Sequence, residues 1–152
     1  RVDLGQRHSV LRDRRIGKGI LHPKDAIKAE AAGADGIIFS NHGGRQLDGA
    51  IAPMKVLGPI VNAVSLPVMI DSGFRRGSDV LKALGLGAKF VFVGRPFNYA
   101  AAYAGEEGIS HAVKLLSAEV ERNMALLGIN RVEDMDIERM CLKDGGPLVV
   151  SS

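Results

Sequence analysis

A single cysteine, Cys141, stands in a chain of 152 residues, which excludes an intrachain disulfide. No spacing of Cys and His suits a metal ion either, and both absences favour a reducing, cytoplasmic setting. No apolar run approaches the roughly 20 residues needed to cross a bilayer. The arginines near the start (Arg7, Arg12, Arg14 and Arg15) have no apolar stretch behind them, so neither a signal peptide nor a membrane helix is expected. Those arginines also lack interleaved aromatics and any helix-turn-helix pattern. With a formal charge of only +3, nucleic acid is not an expected partner. Nothing is of low complexity, and the apolar content suffices for the core of one domain or a piece of one.

What the chain does have is an internal repeat. The stretch from Asp25 to Phe39 aligns with that from Asp79 to Val93, matching Asp25 with Asp79, Lys28 with Lys82, Ala29 with Ala83, Gly33 with Gly87 and Ala34 with Ala88. Each copy reads as a short helix closed by a glycine, then a strand that is apolar throughout. Strands apolar on both faces belong to parallel sheets covered by helices, so the alternation predicts an α/β fold. Strands are expected at 16–21, 36–39, 67–70 and 90–93. A first helix is expected at 25–32 with Pro23 in its opening turn, and a second from Met54 to Val64 with a kink at Gly58-Pro59. A third is expected behind an N-cap at Ser78, and a fourth from Ile109 to Leu127, closed by Gly128.

Four βα units make either half of an eight-stranded (β/α) barrel or part of an open doubly wound sheet. The polar residues favour the barrel. Lys18, Ser40 to Arg45, Asp71 to Arg75, and Gly94-Arg95 each sit at a strand end, and four such ends would ring one mouth. The half-barrel is expected to span 16–135, after an unassigned segment at 1–15 and before a tail at 136–152.

Chemistry concentrates at those ends. Ser40-Asn41-His42-Gly43-Gly44-Arg45-Gln46-Leu47-Asp48 opens directly from the apolar run 36–39. His42 brings an imidazole, the side chain suited to proton transfer near neutral pH, and Arg45 a planar fork that fits a carboxylate. Gly43 and Gly44 let the backbone turn sharply and leave room for a flat group. Farther on, Gly73 and Gly77 offer backbone amides and Arg75 offers charge, while Gly94-Arg95 adds a second amide and guanidinium: a pattern for phosphate. Asp71 would repel phosphate and is expected to accept hydrogen bonds from sugar-alcohol hydroxyls. Tyr99 and Tyr103 are expected to be packing residues.

The stretch from Ser40 to Asp48 resembles the active-site signature of the FMN-dependent 2-hydroxy acid dehydrogenases and oxidases, the family of glycolate oxidase, flavin-linked L-lactate dehydrogenase and mandelate dehydrogenase. The likeness runs from about Lys18 to Met135 and covers the second, C-terminal half of a typical member. Asp71 to Asp79 is worded most like the mandelate dehydrogenase branch. The resemblance implies a (β/α)8 TIM barrel, with these as strands five to eight, and FMN as cofactor. It also implies that Asp71, Ser72, Gly73, Phe74 and Arg75, with Gly94 and Arg95, hold the ribityl chain and phosphate. Ser40 would contact the flavin, and Lys18 would face its N1 and C2 carbonyl, where charge accumulates on reduction. Arg45 would pair with the carboxylate of a lactate- or mandelate-like L-2-hydroxy acid, and His42 would be the base in its oxidation to the 2-oxo acid.

By the same resemblance, oxygen, a quinone or a cytochrome is the expected electron acceptor, and a completed barrel is expected to form homo-oligomers. Besides a cytoplasmic location, peripheral attachment at the inner membrane is the alternative, through a segment outside this chain. The family's substrate-binding tyrosines and the aspartate that orients the histidine belong to its first half, and Asp48 is not assigned that orienting role. The chain is therefore expected to be a fragment, a truncated product or one half of an assembly, inactive without the missing half. Two other readings stand beside this one. One is a non-catalytic βα half-barrel that self-associates or binds a phosphate ligand. The other is a different phosphate-binding barrel, such as an FMN-linked isomerase or IMP dehydrogenase, against which the placement of His42 and Arg45 argues.

Overall fold

The computed structural model describes residues 14–141, so most of the unassigned first segment and the tail from residue 142 lie outside the described residues. Four strands alternate with four α-helices: β1 (Ile16–Ile20), α1 (Pro23–Ala31), β2 (Gly36–Phe39), α2 (Leu57–Val61), β3 (Val68–Ile70), α3 (Gly77–Gly85), β4 (Phe90–Val91) and α4 (Arg95–Leu127). All pairings are parallel and the sheet order is β1-β2-β3-β4, so α1, α2 and α3 are crossovers between adjacent strands. The fold is α/β, a partial (β/α) barrel of four βα units.

The two central strands carry the core. Ile37 lies opposite Val68 and Phe39 opposite Ile70, and all four are at most 2% exposed. Ala26 of α1, Leu57 and Ile60 of α2 and Ala83 of α3 pack with them. Burying a side chain of this kind contributes about 1.5–3 kcal/mol. A second cluster forms where α3 meets α4: Leu81, Ile129 and Met135 pack with Val120 and Met124. Two 3-10 turns, Val132–Asp134 and Ile137–Arg139, fold the chain after α4 back so that Met135 is only 8% exposed.

Several expected boundaries move. The second helical region breaks at Val56, between a 3-10 turn at Pro53–Lys55 and α2, and not at Gly58-Pro59. Pro59 falls in the first turn of α2, where backbone N–H groups have no intrahelical partner and a missing one costs little. Ser78 is not the N-cap of α3, because Arg76 holds that position. The Asp79 carboxylate accepts from the N–H groups of both Arg75 and Arg76 at 3.0 Å, and the helix starts two residues earlier than an N-cap at Ser78 would place it. β4 pairs over only Phe90–Val91 and not over 90–93. It is the last strand of the sheet, and Phe90 and Phe92 are 55% and 39% exposed.

The fourth helix starts at Arg95, well before Ile109, and is two arms joined at a break. Gly105 adopts φ 53° and ψ −135°, and a Cβ on Gly108 would overlap the carbonyl oxygen of Ala100, so the arms meet there backbone to backbone. Gly128, at φ 68°, closes the helix as expected. Tyr99 and Tyr103 are not packing residues among the described residues: both lie on the first arm, and Tyr103 is 93% exposed.

Candidate active site

The C-terminal ends of the strands build one cleft of about 180 Å³. From β1 comes Lys18, which lies inside the strand and not at its end, because pairing continues past a register shift to Ile20. Its long side chain still reaches the mouth. Lys18 Nζ donates to Ser40 Oγ and lies 3.1 Å from Asp71 Oδ2. Ser40, 1% exposed at the end of β2, also accepts from the His42 N–H at 3.0 Å. It therefore supports the cleft from behind and is not among the residues lining it.

Asp71 follows β3. Burial opposes its charged form, yet hydrogen bonds from Ser40, Ser72 and Lys18, together with the Lys18 charge, hold its carboxyl below the usual aspartate value. Ser72 Oγ donates to Asp71 Oδ1 at 2.6 Å. The result is a charge-assisted network that ties a side chain of β1 to the ends of β2 and β3.

His42 and Ser72 adopt left-handed backbone conformations, φ 55° and 79°, and are the non-glycine residues to do so among those described. Strain of this kind collects at functional sites. The His42 ring packs over β1: a Cβ on Gly19 would stand 3.4 Å from Nε2, so glycine at that position, itself at φ 91°, leaves space for the imidazole. Arg45 is exposed and donates from Nε to the His42 carbonyl at 3.3 Å. Asn41 steadies the same turn by accepting from the Gly44 N–H.

On the far side stand the expected anion groups. Gly73 is at φ 90°, and neither it nor Gly94 has any atom within 4 Å of where a Cβ would be, so both backbones face open space. Arg75 folds toward its own loop, with Nη1 on the Phe74 carbonyl at 3.0 Å, while the Phe74 side chain is buried in the core. Arg95 Nη2 donates to the Gly43 carbonyl at 2.7 Å. Gly77 does not offer its amide. That N–H donates to Glu119 Oε2 at 2.8 Å, and a Cβ there would meet the Val120 nitrogen at 2.5 Å, so this glycine serves the close approach of α3 to α4.

His42, Arg45, Lys18, Asp71 to Arg75, Gly94 and Arg95 thus line the same cleft. Phe92, Val93 and Asn98 line it too and escaped the sequence reading. For Asn98 a signal was present: it lies one turn after Arg95, on the same helical face. Among the described residues, no group of three or more His, Cys, Asp or Glu could hold a metal ion, and no helix is long and apolar enough to cross a membrane.

With this geometry in place, the chain can be set beside known proteins. Over 111 residues it is 53% identical to (S)-mandelate dehydrogenase of Pseudomonas putida, covering 73% of this chain and 28% of the relative. Over 121 residues it is 48% identical to an L-lactate oxidase of a Nostoc species, covering 78% of this chain and 33% of the relative. The crystal structure of the monotopic membrane protein (S)-mandelate dehydrogenase superposes with a TM-score of 0.79 at 48% identity, over 81% of this chain and 33% of that one. The chain spans about a third of the length of the relatives it matches. The model of one family, FMN-dependent dehydrogenase, matches residues 6–142, and this chain belongs to that family.

Proposed function

We propose that the chain supplies the part of an oxidoreductase that holds FMN and the base, in an enzyme converting an L-2-hydroxy acid, lactate- or mandelate-like, to its 2-oxo acid. One observation carries this reading: an imidazole, three guanidinium groups and an ammonium, scattered along the sequence, line a single cleft. The residues suit FMN. Arg75, Arg95 and the open backbones of Gly73 and Gly94 fit its phosphate, and Asp71 has acceptor capacity for ribityl hydroxyls. At about 180 Å³ the cleft is smaller than the ~300 Å³ of even a small ligand pocket, so this chain encloses only part of such a molecule.

FMN, when bound, would accept the two electrons that leave the substrate. Arg45 has spent only its Nε on the His42 carbonyl, which leaves the Nη fork for the substrate carboxylate and selects acids over simple alcohols. His42, exposed at the mouth, takes the proton released as the hydroxyl-bearing carbon is oxidised. Lys18 keeps a positive charge at the cleft, where negative charge would develop. Turnover is expected only when the first four βα units are supplied.

The test is complementation. Co-expression with the segment of the Pseudomonas putida mandelate dehydrogenase that this chain does not cover should give a yellow complex that L-lactate or mandelate bleaches without air. His42→Gln should keep the colour and slow bleaching by about 10²–10⁴-fold. A folded complex without FMN rejects the cofactor assignment, and unchanged bleaching rejects His42 as base.

A second reading draws on the exposed Phe90 and Phe92 at the β4 edge. In it the half-barrel is a non-catalytic module that pairs with its own copy. A stable dimer in sedimentation that ignores 2-hydroxy acids after complementation would favour it.

A further inference from the structure

The turn that carries His42 is held from outside itself. Gly43, the next residue, donates its N–H to Ser72 Oγ at 3.0 Å, and its carbonyl accepts from Arg95 Nη2 at 2.7 Å. Both polar groups of this glycine are therefore captured, one from the loop after β3 and the other from the start of α4. Ser72 also donates its hydroxyl proton to Asp71 Oδ1 at 2.6 Å, so that hydroxyl acts as donor and acceptor within the protein.

The backbone shows how unusual the arrangement is. Ser72 sits at φ 79°, a conformation in which glycine is unstrained and serine is not. What serine adds at this position is the hydroxyl. Gly43 complements it, since a Cβ there would stand 2.5 Å from Arg95 Nη2 and push the guanidinium off the turn.

We propose that Ser72 and Arg95 are positioning residues: they clamp Gly43, fix the turn that presents His42, and link that turn to the anion end of the cleft. Arg95 has five N–H donors and uses one on Gly43, so a phosphate held by the others fixes the same guanidinium that holds the turn. Cofactor occupancy and placement of the imidazole are then coupled through one side chain. The inference rests on the reading of His42 as base and of this cleft as the FMN site. It assigns Ser72 a different task from contact with the cofactor.

Ser72→Gly keeps the left-handed turn without strain and removes the hydroxyl; Ser72→Ala removes it with the Cβ retained. In the full chain, amide exchange followed by NMR should show the Gly43 N–H exchanging about fivefold faster in both variants, with the Gly87 N–H as unmoved control. Exchange at Gly43 within twofold of the parent overturns the clamp. In the complemented enzyme at saturating FMN, Ser72→Gly should lower kcat about tenfold with KM little changed, as expected when a reacting group loses its placement. A loosened Gly43 with kcat intact overturns the positioning role, as does a loss that appears only as weaker FMN binding. Failure of the base assignment is read separately, from turnover that survives His42→Gln.

Discussion

The two copies of the internal repeat, α1–β2 and α3–β4, close their helices in the same way and bury their strands in opposite ways. In the first copy Gly33 is at φ 82° and Ala34 N–H reaches back to the Ala29 carbonyl; in the second Gly87 is at φ 97° and Ala88 N–H reaches back to Ala83. That cap is a local device, so equal sequences give equal turns. The strands differ because burial is not local. β2 has a paired strand on each side, and Ile37 and Phe39 are 0% exposed. β4 has one, pairs over two residues and leaves Phe90 55% exposed. An apolar strand sequence thus declares a need for cover, and only the neighbours meet it.

Core truncation should expose this difference most strongly. Ile37→Ala is expected to cost about 3–4 kcal/mol, while Val91→Ala, at the matching position of the second copy, should cost about 1 kcal/mol, both read from urea unfolding. Equal costs would mean that β4 is covered in solution by a second copy or another chain. Addition of the complementing segment should then raise the cost of Val91→Ala alone.

The capping glycines offer a finer contrast. At Gly33 a Cβ would meet only the end of the Arg15 side chain, at 3.1 Å, which can swing aside. At Gly87 it would meet Val61 Cγ1 at 2.7 Å, inside packed structure. Gly33→Ala should cost about 1 kcal/mol for the left-handed backbone. Gly87→Ala should cost about 2–3 kcal/mol, because overpacking adds to it. Equal losses would show that Val61 moves freely and that α2 is less firmly seated than its buried Leu57 and Ile60 indicate.

The same distinction explains what could be read before the structure. The repeat, the parallel order and the convergence of His42, Arg45, Asp71 and Arg95 follow from short-range pattern plus the barrel rule that strand ends share a rim. Gly77 misled because a glycine looks alike whether it frees an amide or admits a neighbouring helix. Glu119, more than forty residues away, decides which. Tyr99 and Tyr103 misled for the converse reason, since an aromatic on a helix says nothing of whether another element reaches it. The left-handed turn at Ser72 had no signal, because serine does not mark that conformation, and the one at His42 had only the weak signal that histidine is enriched there.

The smallest expected effect lies at one of the positions where the two copies differ. Glu30 in the first copy matches Leu84 in the second. Leu84 packs against the cluster between α3 and α4, whereas Glu30 accepts from the N–H and hydroxyl of Ser65, at 2.9 and 2.6 Å, and ties α1 to the turn before β3. Those two hydrogen bonds hold the Glu30 carboxyl below its usual value of 4.5. A carboxylate depressed on folding adds stability above its unfolded value and loses it as the pH falls through the folded one. The parent should therefore lose a small part of its stability as the pH drops below about 4.5, and Glu30→Gln should lose less over the same interval. Urea midpoints for the two proteins at pH 7 and in the acid range measure the difference. Parallel curves would show that Ser65 binds the uncharged side chain equally well, and that the first copy needs the hydrogen bonds here and not the charge.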